Sequence, residues 1–390
     1  MSDTRKTTKP NVPNLRFPGF EGEWENKRIG DIGKFFSGGT PSSSRKDFYG
    51  GEIPFIRSGE IHSDKTELFL TQEGYKNSSA KMVEVGDILL ALYGANSGDI
   101  SISQMRGAIN QAILCIRTNV APVFFKSVWE KHAQKILNTY LQGGQGNLSA
   151  DIVKKITISI PSQIEQAKIA ALFSHLDERI SIQNKVIEDL KKLKTALEER
   201  MLGQCQGKQV RLRDILIERV EKSRINNQYE VLSSTVSGIY SQREYFNKEI
   251  ASADNTGYKA IHRGDVVLSP QNLWMGNINY NDRFEIGIVS PSYKVFSIDE
   301  KFDKGYIAFL LKTRKALWAY SLVSEQGASI VRRNLNYESF LEISFVIPSL
   351  KEQQATARRL SAFKQKHTME EAFLRSLLLQ KEFMLKSLFI

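Results

Sequence analysis

The chain repeats itself once, and this duplication limits its possible folds more than any other feature. Ile160-Pro161-Ser162-Gln163-Ile164-Glu165-Gln166 returns 187 residues later as Ile347-Pro348-Ser349-Leu350-Lys351-Glu352-Gln353. Gly74-Tyr75 followed by Val85-Gly86-Asp87-Ile88-Leu89-Leu90 returns as Gly257-Tyr258 followed by Arg263-Gly264-Asp265-Val266-Val267-Leu268. The Gly-Asp elements are 178 residues apart, so the second copy gained about nine residues between this element and its Ile-Pro-Ser segment. The beginnings also correspond: Lys27-Arg28-Ile29-Gly30-Asp31-Ile32 matches Val210-Arg211-Leu212-Arg213-Asp214-Ile215. Between these points the copies differ almost completely, as expected of two modules doing one job on different ligands.

Each Ile-Pro-Ser segment opens a long helical pattern, one ending near Leu202 and the other at Ile390. Leu176, Ile180, Ile187, Leu190, Leu197 and Met201 fall, at the spacing of the repeat, opposite Phe363, His367, Leu374, Leu377, Met384 and Leu388. Steps of three, four and seven keep such residues on one helix face. A helix of roughly 40 residues spans about 60 Å, more than a globular domain needs, and reads as a coiled-coil spacer. An antiparallel pair would place the modules at opposite ends, related by an approximate twofold.

Glycines at 203 and 207 suit a helix stop and turn. Short apolar or alternating runs at 112–116, 156–160 and 342–347 read as strands, and 123–140 and 303–320 as helices. The fold class that follows is α+β: two mixed α/β modules at 14–160 and 207–347, separated by helical spacers at 161–206 and 348–390, with a basic tail at 1–13. A chain of 390 residues is too long for one ordinary core, which agrees.

Lys and Arg outnumber Asp and Glu by 54 to 43, for a net charge of +11 and a pI near 9.4. That surplus admits an acidic partner such as nucleic acid without requiring one. The two cysteines, Cys115 in an apolar run and Cys205, offer neither a disulfide framework nor a zinc site, and the first twenty residues lack the apolar run of a signal peptide. No stretch approaches 18 apolar residues, so a reducing cytoplasm is the expected setting.

The sequence holds no phosphate-binding loop, dinucleotide fingerprint, His-Glu-x-x-His, nucleophile elbow or Asn-Pro-Pro-Phe/Tyr tetrapeptide. His62, His132, His175, His262 and His367 lack metal-ligand spacing. Asp87 and Asp265 each stand at the entrance of an apolar strand and read as turn or cap residues. Gly94-Ala95-Asn96-Ser97-Gly98 and Gly143-Gly144-Gln145-Gly146-Asn147 read as loops, or as places where backbone comes close to DNA. No catalytic residue or metal site is expected.

Trp24-x-x-Lys27-Arg28-Ile29-Gly30-Asp31 with Gly38-Gly39-Thr40-Pro41, the Gly-Asp-Ile/Val strand at 86–90 and 264–268, and Ile-Pro-Ser with its Glu-Gln helix start together resemble the specificity subunit of type I restriction-modification systems. The resemblance spans essentially the whole chain. It implies two target-recognition domains, each reading one half of an asymmetric bipartite DNA target, and helices that separate them and bind two modification subunits. It further implies a non-catalytic chain without a cofactor of its own, S-adenosylmethionine being bound by the modification subunit and ATP with Mg2+ by the restriction subunit. Glu165 and Gln166, with Glu352 and Gln353, match the family's helix start and are expected to anchor helices or dock subunits. The second copy departs from the pattern: no Gly-Thr-Pro follows Ile215, and Glu352-Gln353-Gln354-Ala355-Thr356-Ala357 stands where the first copy has Glu165-Gln166-Ala167-Lys168-Ile169-Ala170.

Backbone grip needs Lys and Arg, whereas base reading needs Arg, Asn, Gln or short hydroxyls. On residue type the candidates are Arg45, Lys46, Arg57, Arg106, Asn110, Gln111, Gln142 and Gln145 in the first module. In the second they are Lys222, Arg224, Arg243, Asn272, Asn277, Arg283, Gln326, Arg332 and Arg333, with the loops at 143–147 and 325–333 foremost. The alternatives are an architectural or regulatory DNA-binding protein without methyltransferase partners, an enzyme fused to its own recognition part, and a structural coiled-coil protein.

Overall fold

A computed structural model of the chain describes residues 10–141, 147–246, 254–326 and 332–390. By their internal contacts the residues divide into two units, Met1–Asn184 with Ala372–Ile390, and Lys185–Glu371. Each unit holds one module and about half of each long helix, the central helix Gln163–Gly203 and the C-terminal helix Leu350–Leu388.

The first unit is closed by a two-stranded ribbon in which Glu25–Arg28 pairs antiparallel with Thr157–Ile160. Its main sheet has the order Gly33–Ser37, Ile113–Thr118, Ile88–Ala91, Ile100–Ile102. A second sheet joins Phe69–Leu70, Tyr49–Ile56, Gly107–Ile109 and Lys81–Val83. Alternate residues of the main sheet face the helix Pro122–Leu141, where Leu90, Leu114, Phe124, Phe125 and Trp129 share a core.

The second unit repeats this plan. Lys208–Arg211 pairs with Ser344–Ile347, and Leu216–Glu218, Lys294–Ile298, Val266–Leu268 and Ile278–Tyr280 follow the same sheet order. The two Gly-Asp turns have one geometry. Gly86 and Gly264 sit at φ 96° and 93°, where a side chain would be strained. The Asp87 carboxylate accepts from Glu84 N, and that of Asp265 from His262 N, both at 2.8 Å. Asp87 is held by Arg117 at 2.6 Å and Asp265 by Arg219 at 2.9 Å. Arg117 lies on the strand Ile113–Thr118, whereas Arg219 follows the strand Leu216–Glu218, so the copies make the same lock with different residues.

In one place the second unit departs from the helix read in the sequence. The segment 303–320 forms two helices, Lys304–Leu310 and Arg314–Leu322. Thr313 caps the second, its hydroxyl accepting from Ala316 N at 3.2 Å, and so breaks what apolar spacing alone presents as continuous.

Both long helices form over the expected ranges, and every seam residue named above is buried or half-buried. Within the first unit they run antiparallel. Ile169, Phe173 and Leu176 of the central helix share a core with Leu388 and Phe389 of the C-terminal segment, and Phe389 lies among the rings of Trp24, Phe124 and Phe173 at 5.4 to 6.3 Å. Full burial of such a ring contributes about 1.5 to 3 kcal/mol. Within the second unit the reverse ends meet, Leu202 packing with Ala357 and Leu360.

Candidate nucleic-acid interface

The helix starts show what the repeated Glu-Gln pair does. Gln166 and Gln353 are buried, and each amide nitrogen donates 2.9 Å to the carbonyl of the proline before the helix, Pro161 or Pro348. Each amide oxygen accepts from a module backbone N–H, Ala121 at 3.1 Å and Asp303 at 2.9 Å. Both glutamines therefore fasten a module to its helix. The glutamates diverge. Glu165 is 1% exposed and takes two 2.8 Å hydrogen bonds from Arg16, whereas exposed Glu352 closes a capping box on Ser349. Arg16 belongs to the segment before the strand Glu25–Arg28; in the second copy the central helix precedes the equivalent strand Lys208–Arg211. The second helix start thus makes do with local capping.

In the first unit several candidates converge on the loop after the first sheet strand. A Cβ on Gly38 would lie 1.7 Å from the Ile109 carbonyl oxygen, and one on Gly39 1.9 Å from Ser79 Oγ, so only glycines let this loop lie against the second sheet. That approach brings the Thr40 hydroxyl to the Gln111 side-chain oxygen at 2.6 Å. Asn110 shapes the same turn, its side-chain oxygen accepting from Ala112 N at 3.1 Å. The loop continues to Arg45, which chelates Asp47 and lies 4.3 Å over the Phe48 ring, and to exposed Lys46. The Asp47 hydrogen bonds raise the Arg45 pKa above its ordinary value. Arg57 and Arg106 are engaged elsewhere, Arg57 with Glu60 and Glu67 and Arg106 with Glu84. Gln142 and Gln145 lie outside the described residues.

The corresponding loop of the second unit carries Lys222 and Arg224, both exposed. Lys222 forms an isolated antiparallel bridge with Lys259. Lys294, on the strand equivalent to Ile113–Thr118, completes a basic corner, with its Nζ 2.7 Å from Glu218 and 4.2 Å from the Tyr337 ring centre. Neither Lys259 nor Lys294 stands out in the sequence, because only strand pairing brings them to Lys222.

The remaining candidates are spread over the second unit. Asn277 is 4% exposed, and its amide both accepts from Ser234 Oγ at 2.7 Å and donates to the Ser234 carbonyl at 2.9 Å. It braces the hairpin Leu232–Ser241 from inside, where no groove edge reaches. Arg243 is exposed on the helix Gln242–Phe246, and Arg283 pairs with Glu244 at 2.7 Å over the Phe284 ring. Arg333 lies 4.1 Å over the Trp274 ring, opposite Gln326 in a short ribbon, and donates its backbone N–H to the Gln271 carbonyl at 3.1 Å. Asn272 follows Gln271, and its side-chain oxygen and Arg333 Nε are buried with no hydrogen-bond partner among the described residues. Arg332 is exposed, while 327–331, the tip of the foremost candidate loop, lies outside the described residues. Trp274 is the aromatic that a search by charge and polarity passes over.

Among the described residues no group of three or more His, Cys, Asp or Glu is placed to hold a metal, and no helix is long and apolar enough to cross a membrane.

Two duplicated α+β modules with antiparallel helical segments define a class of fold. A crystal structure of a type I restriction-modification system S subunit from M. genitalium shares it, with a TM-score of 0.62 over 97% of this chain and 99% of that one at 15% identity. Residues 21–192 match the family model of the type I restriction modification DNA specificity domain. The MjaIX specificity subunit of Methanocaldococcus jannaschii is 29% identical over 185 residues, which are 44% of this chain and 42% of that protein. The chain thus spans about two-fifths of the length of that relative, while the MjaVIII specificity subunit of the same organism matches at 22% over 87% of this chain and 86% of its own length. Residues 21–192 thus match a type I restriction modification DNA specificity domain, and the chain as a whole is similar to type I restriction-modification specificity subunits in sequence and fold.

Proposed function

We propose that this chain chooses the DNA sequence on which a type I restriction-modification complex acts, each module reading one half of a split, asymmetric target. The observation that carries this reading is one frame built twice with different surface loops. The sheet order, Gly-Asp turn, closing ribbon and glutamine anchor recur, while the loop after the first sheet strand sets Thr40 against Gln111 in one unit and Lys222 beside Lys259 in the other. A conserved frame holds the loops still; divergent loops give each half-target its own set of donors and acceptors.

The chain contributes no chemistry in this reading. Methyl transfer belongs to two modification subunits that bind S-adenosylmethionine and flip an adenine from the duplex, and ATP- and Mg2+-dependent translocation and cleavage belong to restriction subunits. Exposed Leu379 and Phe383, four residues apart on one face of the C-terminal helix, support docking of such subunits there, since exposed apolar neighbours favour a protein partner.

Co-expression with the candidate modification subunit and single-molecule mapping of N6-methyladenine over a plasmid library tests the proposal. Methylation at one split motif, lost when this chain is omitted, is the expected result. A soluble, assembled complex that methylates nothing would favour an architectural DNA-binding role instead.

A further inference from the structure

The basic corner of the second unit has a charge pattern that its own fold compensates only in part. Lys222 and Lys259 face each other across an antiparallel bridge, an arrangement that is destabilising for like charges. Burial pushes the Lys259 ammonium below its ordinary pKa, and the charges of Lys294 and Lys222 push it further against the opposing charge of Glu218. Two carboxylates lie beside the corner, and both are already engaged. Glu218 accepts from Lys294 Nζ and from the Tyr337 hydroxyl, each at 2.7 Å, and Glu221 sits 2.8 Å from His262 Nε2. Lys259 Nζ donates 2.6 Å to the Tyr293 carbonyl, a neutral acceptor that uses one of its three N–H groups.

Lys294 is paired with Glu218, so one carboxylate stands among three ammonium groups, and the surplus positive charge is relieved by an incoming anion. Lys222 is exposed, while Lys259 and Lys294 are half-buried, so the anion would meet a fixed pair of donors with a mobile one at its rim. Lys222 follows the first sheet strand of the second unit as Thr40 follows that of the first. We propose that Lys222, Lys259 and Lys294 form a phosphate clamp that grips the backbone of a DNA duplex at the second module. The clamp rests on the reading of this chain as a DNA-specificity subunit.

The test compares the full-length wild-type chain with Lys222→Gln/Lys259→Gln, with the conservative pair Lys222→Arg/Lys259→Arg, and with Lys185→Gln as an exposed helix control. Affinity for a labelled duplex library is measured across salt concentrations. Each lost phosphate contact lowers the slope of log affinity against log salt by about 0.9, so the Gln pair should lose about 1 to 2 of slope. Its binding should fall alike for all sequences, while the Arg pair and the control keep the wild-type slope. Melting temperatures establish that each variant folds; should the Gln pair fail to fold, the single variant Lys222→Gln, on an exposed side chain, should still lose about one unit of slope. An unchanged slope, or a change in the ranking of sequences, overturns the clamp while leaving the specificity reading in place. Absence of any salt-dependent duplex binding by the wild-type chain overturns both.

Discussion

At the scale of single residues, the repeated Gln166 and Gln353 show how much one side chain can hold. Each satisfies a proline carbonyl and a module N–H inside the protein, so Gln353→Ala orphans two buried backbone groups. An unpaired buried group costs about 1 to 3 kcal/mol, and we expect a loss of about 3 kcal/mol in urea unfolding; a change under 0.5 kcal/mol would remove the anchor role. Lys312 makes a different prediction. The residue is exposed along its length, yet desolvation of its ammonium lowers its pKa to about 8, and its Nζ donates to the Gly276 and Val236 carbonyls at 2.8 and 3.2 Å. Because the folded pKa lies below the unfolded value, the unfolded chain binds the extra proton between about pH 8 and 10.5, and stability rises with pH across that window. Lys312→Met should remove the rise, as read from the difference between the two unfolding curves. The glutamines were legible in the sequence because their positions repeat. Lys312 and Lys259 were not, since desolvation and cross-strand neighbours set their behaviour and neither leaves a mark on local composition.

At the scale of elements, amphipathic spacing predicted the long helices well. A stripe sustained over about seven turns leaves one face to bury, and the seam residues from Leu176 to Met201 and from Phe363 to Leu388 are each buried or half-buried. The break at Thr313 was not seen, because a threonine cap depends on its hydroxyl reaching Ala316 N, which spacing cannot reveal. Nor was the charge cluster that fastens the C-terminal helix in the first unit. Lys126 Nζ lies 2.5 Å from Asp177 and 3.0 Å from Glu130, and Lys381 Nζ lies 2.8 Å from both. Burial alone would raise the Asp177 pKa, yet the two lysines hold it below its ordinary value. Removing one partner from such a cluster leaves charge uncompensated, at a cost of about 3 kcal/mol. Lys381→Met should therefore lower the melting temperature well beyond the effect of Lys386→Met, whose lysine is exposed; equal shifts would show that the cluster holds nothing in place.

At the scale of the whole molecule, the duplication was the most informative feature of the sequence because it concerns order along the chain and needs no knowledge of contacts. It marked out two modules of one design, and the sheet orders, ribbons and Gly-Asp turns agree with that. The recognition surface was much less legible. Residue type alone nominated buried Asn277 together with exposed Arg224, and passed over Lys259, Lys294 and Trp274, because exposure and juxtaposition are properties of the folded chain. The central claim is that each module reads its own half-target. Its most direct test is methylation mapping on a chain whose residues 33–155 are exchanged for the corresponding segment of another specificity subunit, co-expressed with the same modification subunit. The account predicts that one half of the split motif changes while the other half stays as it was. A motif altered in both halves would contradict it.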